Sequence, residues 1–88
     1  MIIKLNLGSE FQPYIGNREA VEVKGRTIHE CLGNLIKKYP EIKKILFDVN
    51  GKLQILIIHN QQLIHRDDID MGVAEGDEIS LITIASGG

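Results

Sequence analysis

Eighty-eight residues, 43% of them hydrophobic and 25% charged, suffice for one small hydrophobic core and are too few for two domains. The net charge of -2 hides an uneven distribution: Met1 to Lys52 carries nine Lys/Arg against six Asp/Glu, whereas Leu53 to Gly88 carries Arg66 alone against six acidic residues. An acidic half repels phosphate backbones, which argues against a nucleic-acid partner, and the longest apolar run, Ile55 to Ile58, is far short of the roughly 18 residues of a membrane span.

The chain opens on Met1-Ile2-Ile3-Lys4, which lacks a signal-peptide layout, so a soluble cytoplasmic protein is expected. Ile3, Leu5 and Leu7 alternate with Lys4 and Asn6, predicting a strand with one buried face that Gly8-Ser9 ends. Glu10 to Arg18, with Pro13 and Gly16, reads as a loop whose Phe11, Tyr14 and Ile15 pack down in part. Glu19 to Lys24 predicts a second strand, with Val21 and Val23 inward, and the two strands make a hairpin. After Gly25 the period changes. Thr27 followed by Glu30 is a capping box, and Ile28, Cys31, Leu32, Leu35, Ile36 and Tyr39 recur at helical spacing. Cys31 lies on the buried stripe, and a lone cysteine there is expected to be a small core residue and not a nucleophile. Pro40 stops or bends the helix, and Glu41 to Phe47 predicts a short second helical piece.

Asn50-Gly51 introduces Leu53 to Ile58, a strand apolar at both parities, which requires either burial on two sides or an exposed patch. Asn60-Gln61-Gln62 reverses the chain into a short strand at Leu63-Ile64, His65 to Gly72 is an acidic loop, and Gly76-Asp77 turns into the last strand. That strand places Ile79 and Leu81 on one face and Ile82 and Ile84 on the other, then stops in Ser86-Gly87-Gly88. Glycines have no side chain to pack and lose the most entropy on ordering, so a terminal pair suits a tail that another protein holds in a narrow channel. The expected organisation is thus a single domain over 1-88 with a protruding tail at 85-88. Early and late strands around one amphipathic helix imply an α+β fold, a mixed sheet with the helix across one face and the last strand parallel to the first. This is the β-grasp arrangement of ubiquitin.

Asn60, the run Val73-Ala74-Glu75-Gly76-Asp77-Glu78-Ile79, and Ser86-Gly87-Gly88 together resemble the MoaD/ThiS family of ubiquitin-like sulfur carriers, and the resemblance spans the whole chain. The family often has prolines shortly before the glycines, where this chain has Thr83 and Ile84. The resemblance implies that Gly88 is the reacting residue: an adenylating, E1-like enzyme joins its carboxylate to AMP from ATP, and sulfur from a donor enzyme displaces the AMP to leave a thiocarboxylate. It implies that Ser86 and Gly87 thread the partner's channel, that the carrier binds no cofactor of its own, and that a further partner is the large subunit of molybdopterin synthase. The scheme requires a free carboxylate at Gly88. Length and the extra segment Pro40 to Phe47 place the molybdopterin branch ahead of the thiamine thiazole branch; a protein modifier and a non-covalent β-grasp interaction module are the alternatives.

Elsewhere the residues are quiet. His29, His59 and His65 lack zinc-ligand spacing and are expected to be structural or solvated. Asp67, Asp68 and Asp70 beside Gly72 lack the glutamate that a calcium loop needs at its twelfth position, where Ile79 stands, and read as a charged surface loop. The outer face of the last strand stays open at this level: Ile82 and Ile84 are either exposed as a partner interface, the preferred reading, or hidden beneath the loop Glu10 to Arg18 through Phe11 and Tyr14.

Overall fold

The computed structural model describes residues 1-84. Five strands form one mixed sheet: β1 (Ile2–Leu7), β2 (Ala20–Lys24), β3 (Ile55–His59), β4 (Gln62–Ile64) and β5 (Glu78–Thr83). Their order across the sheet is β2-β1-β5-β3-β4. The β1-β2 hairpin is antiparallel, with Ile3 opposite Val23 and Leu5 opposite Val21, and all four side chains are buried on the same face. The last strand enters the middle of the sheet, parallel to β1, with Leu5 beside Ile79 and Leu7 beside Leu81. It is antiparallel to β3, where Ile57 faces Leu81. Period-two alternation therefore sorts each strand onto two faces, and only one of them is covered.

The cover is α2 (Ile28–Lys38), lying across that face and contributing Ile28, Cys31, Leu32 and Leu35 to the core. Thr27 sits in the extended conformation as its N-cap and its side-chain oxygen accepts from the Glu30 N–H at 3.0 Å. Only this half of the expected capping box forms among the described contacts: no bond returns from the Glu30 carboxylate to the Thr27 N–H. Gly25 lies where α2 presses closest to the sheet. A Cβ there would stand 2.5 Å from the Cys31 Sγ and 3.0 Å from the Cys31 N, so no larger residue fits without displacing the helix.

Pro40 ends the helix, and a 3₁₀ turn (Pro40–Ile42) leads into α3 (Lys43–Leu46), which buries Ile42 and Leu46 beside α2. Two expectations change. Glu10 to Arg18 is not wholly a loop: α1 (Gln12–Ile15) forms there, because Pro13 suits a first turn and Gly16, at φ 74°, caps the end with its N–H on the Gln12 carbonyl. The strand expected from Leu53 begins two residues later. Leu53 makes only an isolated bridge to Phe47, and the Gln54 amide turns away to donate to the Lys44, Ile45 and Phe47 carbonyls at the end of α3. A helix end whose carbonyls lack partners claims this side chain before the sheet does.

Candidate functional site

Two ends of β5 differ in kind. At its start, Gly76 takes φ 85° in the turn, and the Asp77 carboxylate accepts from the Ala74 N–H at 2.9 Å and pairs with the His59 Nε2 at 2.8 Å. Asn60 reaches the same place, accepting from the Glu78 N–H at 3.0 Å through its side chain and donating its own N–H to the Glu78 carbonyl at 2.9 Å. The hydrogen bond from Ala74 foremost, then those from His59 and Asn60, hold the Asp77 pKa down to about 2. So three residues singled out for different reasons, Asn60, Gly76 and Asp77, make one clamp that fixes where the last strand begins. His59, expected to be structural or solvated, is structural.

At the other end β5 runs out along the uncovered face. Ile82 is 43% exposed and Ile84 56% exposed, while their neighbours Ile79 and Leu81 are buried. Leu56, 40% exposed, lies directly opposite Ile82 in the β3-β5 register. On the far side Leu63, 67% exposed, is paired with Ile58 on the same face. Leu63 was not legible as a member of this patch, since a strand of three residues has no period to show which way it faces. A groove lined in part by Leu56, Leu63, Arg66 and Ile84 brings the one basic side chain of the acidic half to the rim of the patch. The other half of the open face, where Lys4 is opposite Glu22 and Lys4 lies 3.8 Å from Glu78, is polar. An apolar stripe bounded by charge is the usual anatomy of a protein-binding surface.

The loop preceding β2 does not hide this stripe. Phe11 and Ile15 are fully buried in the core beneath the sheet, and Tyr14 stands half out with the Lys44 Nζ 5.3 Å from its ring centroid. The physical reason is that α1 presents Phe11 and Ile15 together on one side, four positions apart, which sends both under the covered face. Between the two outcomes left open for Ile82 and Ile84, exposure is the one observed.

Among the described residues the remaining candidates are structural. Cys31 is buried and its thiol is pushed up to about 11, by desolvation first and the nearby Glu30 charge second, which leaves little thiolate. Among the described residues no group of three His, Cys, Asp or Glu is placed to hold a metal ion, and Asp67 and Asp70 instead lie 3.4 and 3.5 Å from His65 and His29. No helix among them is long and apolar enough to cross a membrane. Ser86, Gly87 and Gly88, and the tail expected at 85-88, lie outside the described residues.

Comparison with solved structures finds the same β-grasp fold across the full chain. The small archaeal modifier protein 1 of Methanosarcina acetivorans superposes with a TM-score of 0.84 at 24% identity, covering 99% of this chain and 96% of that one. A chain of the Amycolatopsis orientalis BexX/CysO complex does so at 0.82 and 22%, covering 98% and 99%. A chain of the complex between subunits 1 and 2 of the molybdopterin-converting factor of Helicobacter pylori is more distant, at 0.65 and 19%, covering 100% of both. No curated protein sequence matches. The ThiS family model matches residues 9–88, which takes in the Asn60–Asp77 clamp, all of β5 and the terminal glycines, and the chain belongs to the ThiS family.

Proposed function

We propose that this protein is a cytoplasmic sulfur carrier whose reacting group is the carboxylate of Gly88. A carboxylate is resonance-stabilised and resists attack by sulfur nucleophiles. In the proposed cycle one of its oxygens attacks the α-phosphorus of ATP on an E1-like activating enzyme, and pyrophosphate leaves. Sulfide-level sulfur (HS⁻) supplied by a donor enzyme then adds to the carbonyl carbon of the acyl adenylate, the carbon–oxygen bond to AMP breaks and AMP departs, leaving a thiocarboxylate whose sulfur is nucleophilic. The carrier supplies neither a base nor a metal, and ATP belongs to the partner's site. Its own contribution is delivery: Ile82 and Ile84, with Leu56, dock on the partner, and Ser86 and Gly87 pass through the channel without side chains that obstruct it.

The observation that supports this reading is the placement of β5. A strand clamped at its start and hydrogen-bonded on both sides carries the chain to an exposed apolar exit four positions before Gly88. The acceptor proposed for the sulfur is the molybdopterin precursor, on the large subunit of molybdopterin synthase, in preference to the thiazole of thiamine; chain length and the Pro40–Phe47 segment favour it. A modifier would use the same adenylate and pass Gly88 to a lysine amine.

Co-expression with the activating enzyme and a sulfur source, followed by intact mass measurement, tests the proposal. The chain should gain the mass difference between sulfur and oxygen, and a chain lacking Gly87 and Gly88 should not, while its circular dichroism is unchanged. Wild-type turnover by the truncated chain would overturn the assignment of Gly88. No mass change in the full chain would leave the interaction module as the better reading.

A further inference from the structure

The free edge of β2 carries an arrangement that Gly88 chemistry does not use. In the β1-β2 ladder the backbone of the odd-numbered residues faces β1, as shown by the Gly25 N–H on the Met1 carbonyl and the Leu7 N–H on the Glu19 carbonyl. The backbone groups of Glu22 and Lys24 therefore face outward. Two side chains of α2 occupy their carbonyls. Asn34 Nδ2 donates to the Lys24 oxygen at 2.6 Å, and Lys38 Nζ donates to the Glu22 oxygen at 3.2 Å.

The spacing makes this more than a pair of surface contacts. Residues four apart on a helix rise about 6 Å, and alternate carbonyls on a strand are about 6.6 Å apart, so α2 presents two donors at the repeat of a neighbouring strand. They stand where the N–H groups of a sixth strand would stand. Both bonds are solvent-exposed, so exchanging them for backbone N–H donors costs little. Beneath them a groove of about 470 Å³ runs between edge and helix, lined by Ile2, Glu22, Val23, Lys24, Asn34 and Lys38. Lys24 and Lys38 outnumber Glu22 there, and Glu22 already faces Lys4 across the hairpin.

We propose that the β2 edge receives an extended, acidic segment of a partner protein as an added strand, with Asn34 and Lys38 as its displaceable stand-ins. The segment's N–H groups replace the two side-chain donors on Glu22 and Lys24. Its acidic side chains lie on the open face beside Lys24, its alternate small apolar side chains lie along Val23 on the helix side, and the released Lys38 amine reaches round the strand from the edge on its flexible stem.

The test is an NMR titration of the ¹⁵N-labelled full chain with a capped synthetic nonapeptide alternating valine and aspartate, against its valine and lysine counterpart. Saturable shifts should concentrate at Ala20–Lys24 and at the Asn34 side-chain amide, and be absent with the lysine peptide. Lys38→Glu should weaken binding by about tenfold or more through charge reversal. Glu22→Pro should abolish it, since it removes an outward N–H and leaves the β1 ladder intact. No saturable shift at millimolar peptide, equal binding of the lysine peptide, or shifts centred on Ile82 would overturn the proposal. So would self-association through β2 without peptide.

Discussion

The two ends of β5 show how one strand can be both anchored and presented. Its start is held by hydrogen bonds from four directions: the Ala74 N–H, His59, and the side chain and backbone of Asn60. Its exit has the sheet ladder and the covered side chains Ile79 and Leu81, but on the open face only apolar side chains facing water. Stability is therefore concentrated where the strand begins, and the surface left for a partner lies where it ends. In the proposed function a partner docks at the exit and leaves the core undisturbed, because the clamp sits at the opposite end of the strand.

Breaking the clamp should have the largest effect. Asp77→Ala removes the acceptor for the Ala74 N–H and for His59, and is expected to cost about 2 kcal/mol, read as a lower midpoint in denaturant. A loss confined to a few tenths of a kcal/mol would mean that the turn holds itself without Asp77. Ile84→Asp addresses the other end. It should weaken binding to the activating enzyme by about tenfold or more, through lost burial and an unpaired carboxylate, with melting of the free protein little changed because Ile84 is exposed. Calorimetric titration paired with a thermal melt separates the two quantities; unchanged affinity would show that the exposed stripe is not the docking face.

Thr27→Ala sharpens the comparison from the helix side. Thr27 bridges Gly72 and the Arg26 carbonyl accepts from the Val73 N–H, so the start of α2 braces the segment leading into the clamp. Losing the Thr27 cap should cost about 1 kcal/mol, with adenylation unaffected well below the melting temperature. The smallest effect is pH dependence. The Asp77 pKa falls from 3.8 to about 2 on folding, so its contribution is complete above about pH 4 and is lost as pH drops through 2. Melting temperature should therefore fall over that window in the wild type by more than in Asp77→Asn. Parallel curves would show that the hydrogen bonds from Ala74, His59 and Asn60 do not bias the Asp77 carboxylate.

Much of the fold was legible because its signals are local. The change from period two to helical spacing at Gly25, the Thr27 cap and the Asn60 and Gly76 turns each announce themselves within a few residues, and each is where it was expected. Where sequence and structure differ, the cause is not local. The four residues of α1 are too few to show a period, so Glu10 to Arg18 reads as a loop in sequence, and the helix is made by Gly16 and by what Phe11 and Ile15 pack against. The start of β3 at Ile55 in place of Leu53 is decided by Gln54 finding the carbonyls at the end of α3, a contact between two elements that the strand's own pattern does not contain.

The candidate site divides along the same line. That Ile82 and Ile84 share a face opposite Ile79 and Leu81 follows from strand alternation alone, and Gly87-Gly88, the reacting end in the proposed function, stands out by composition. Whether that face meets water was not decidable there, because exposure depends on where every other segment lies. Tertiary structure decided it by drawing Phe11 and Ile15 into the core and by setting Leu56 opposite Ile82 and Leu63 beside Ile58, so that residues far apart in the chain became one stripe. Local sequence determines which side chains a strand turns to each face; only packing among distant segments determines which face is left uncovered.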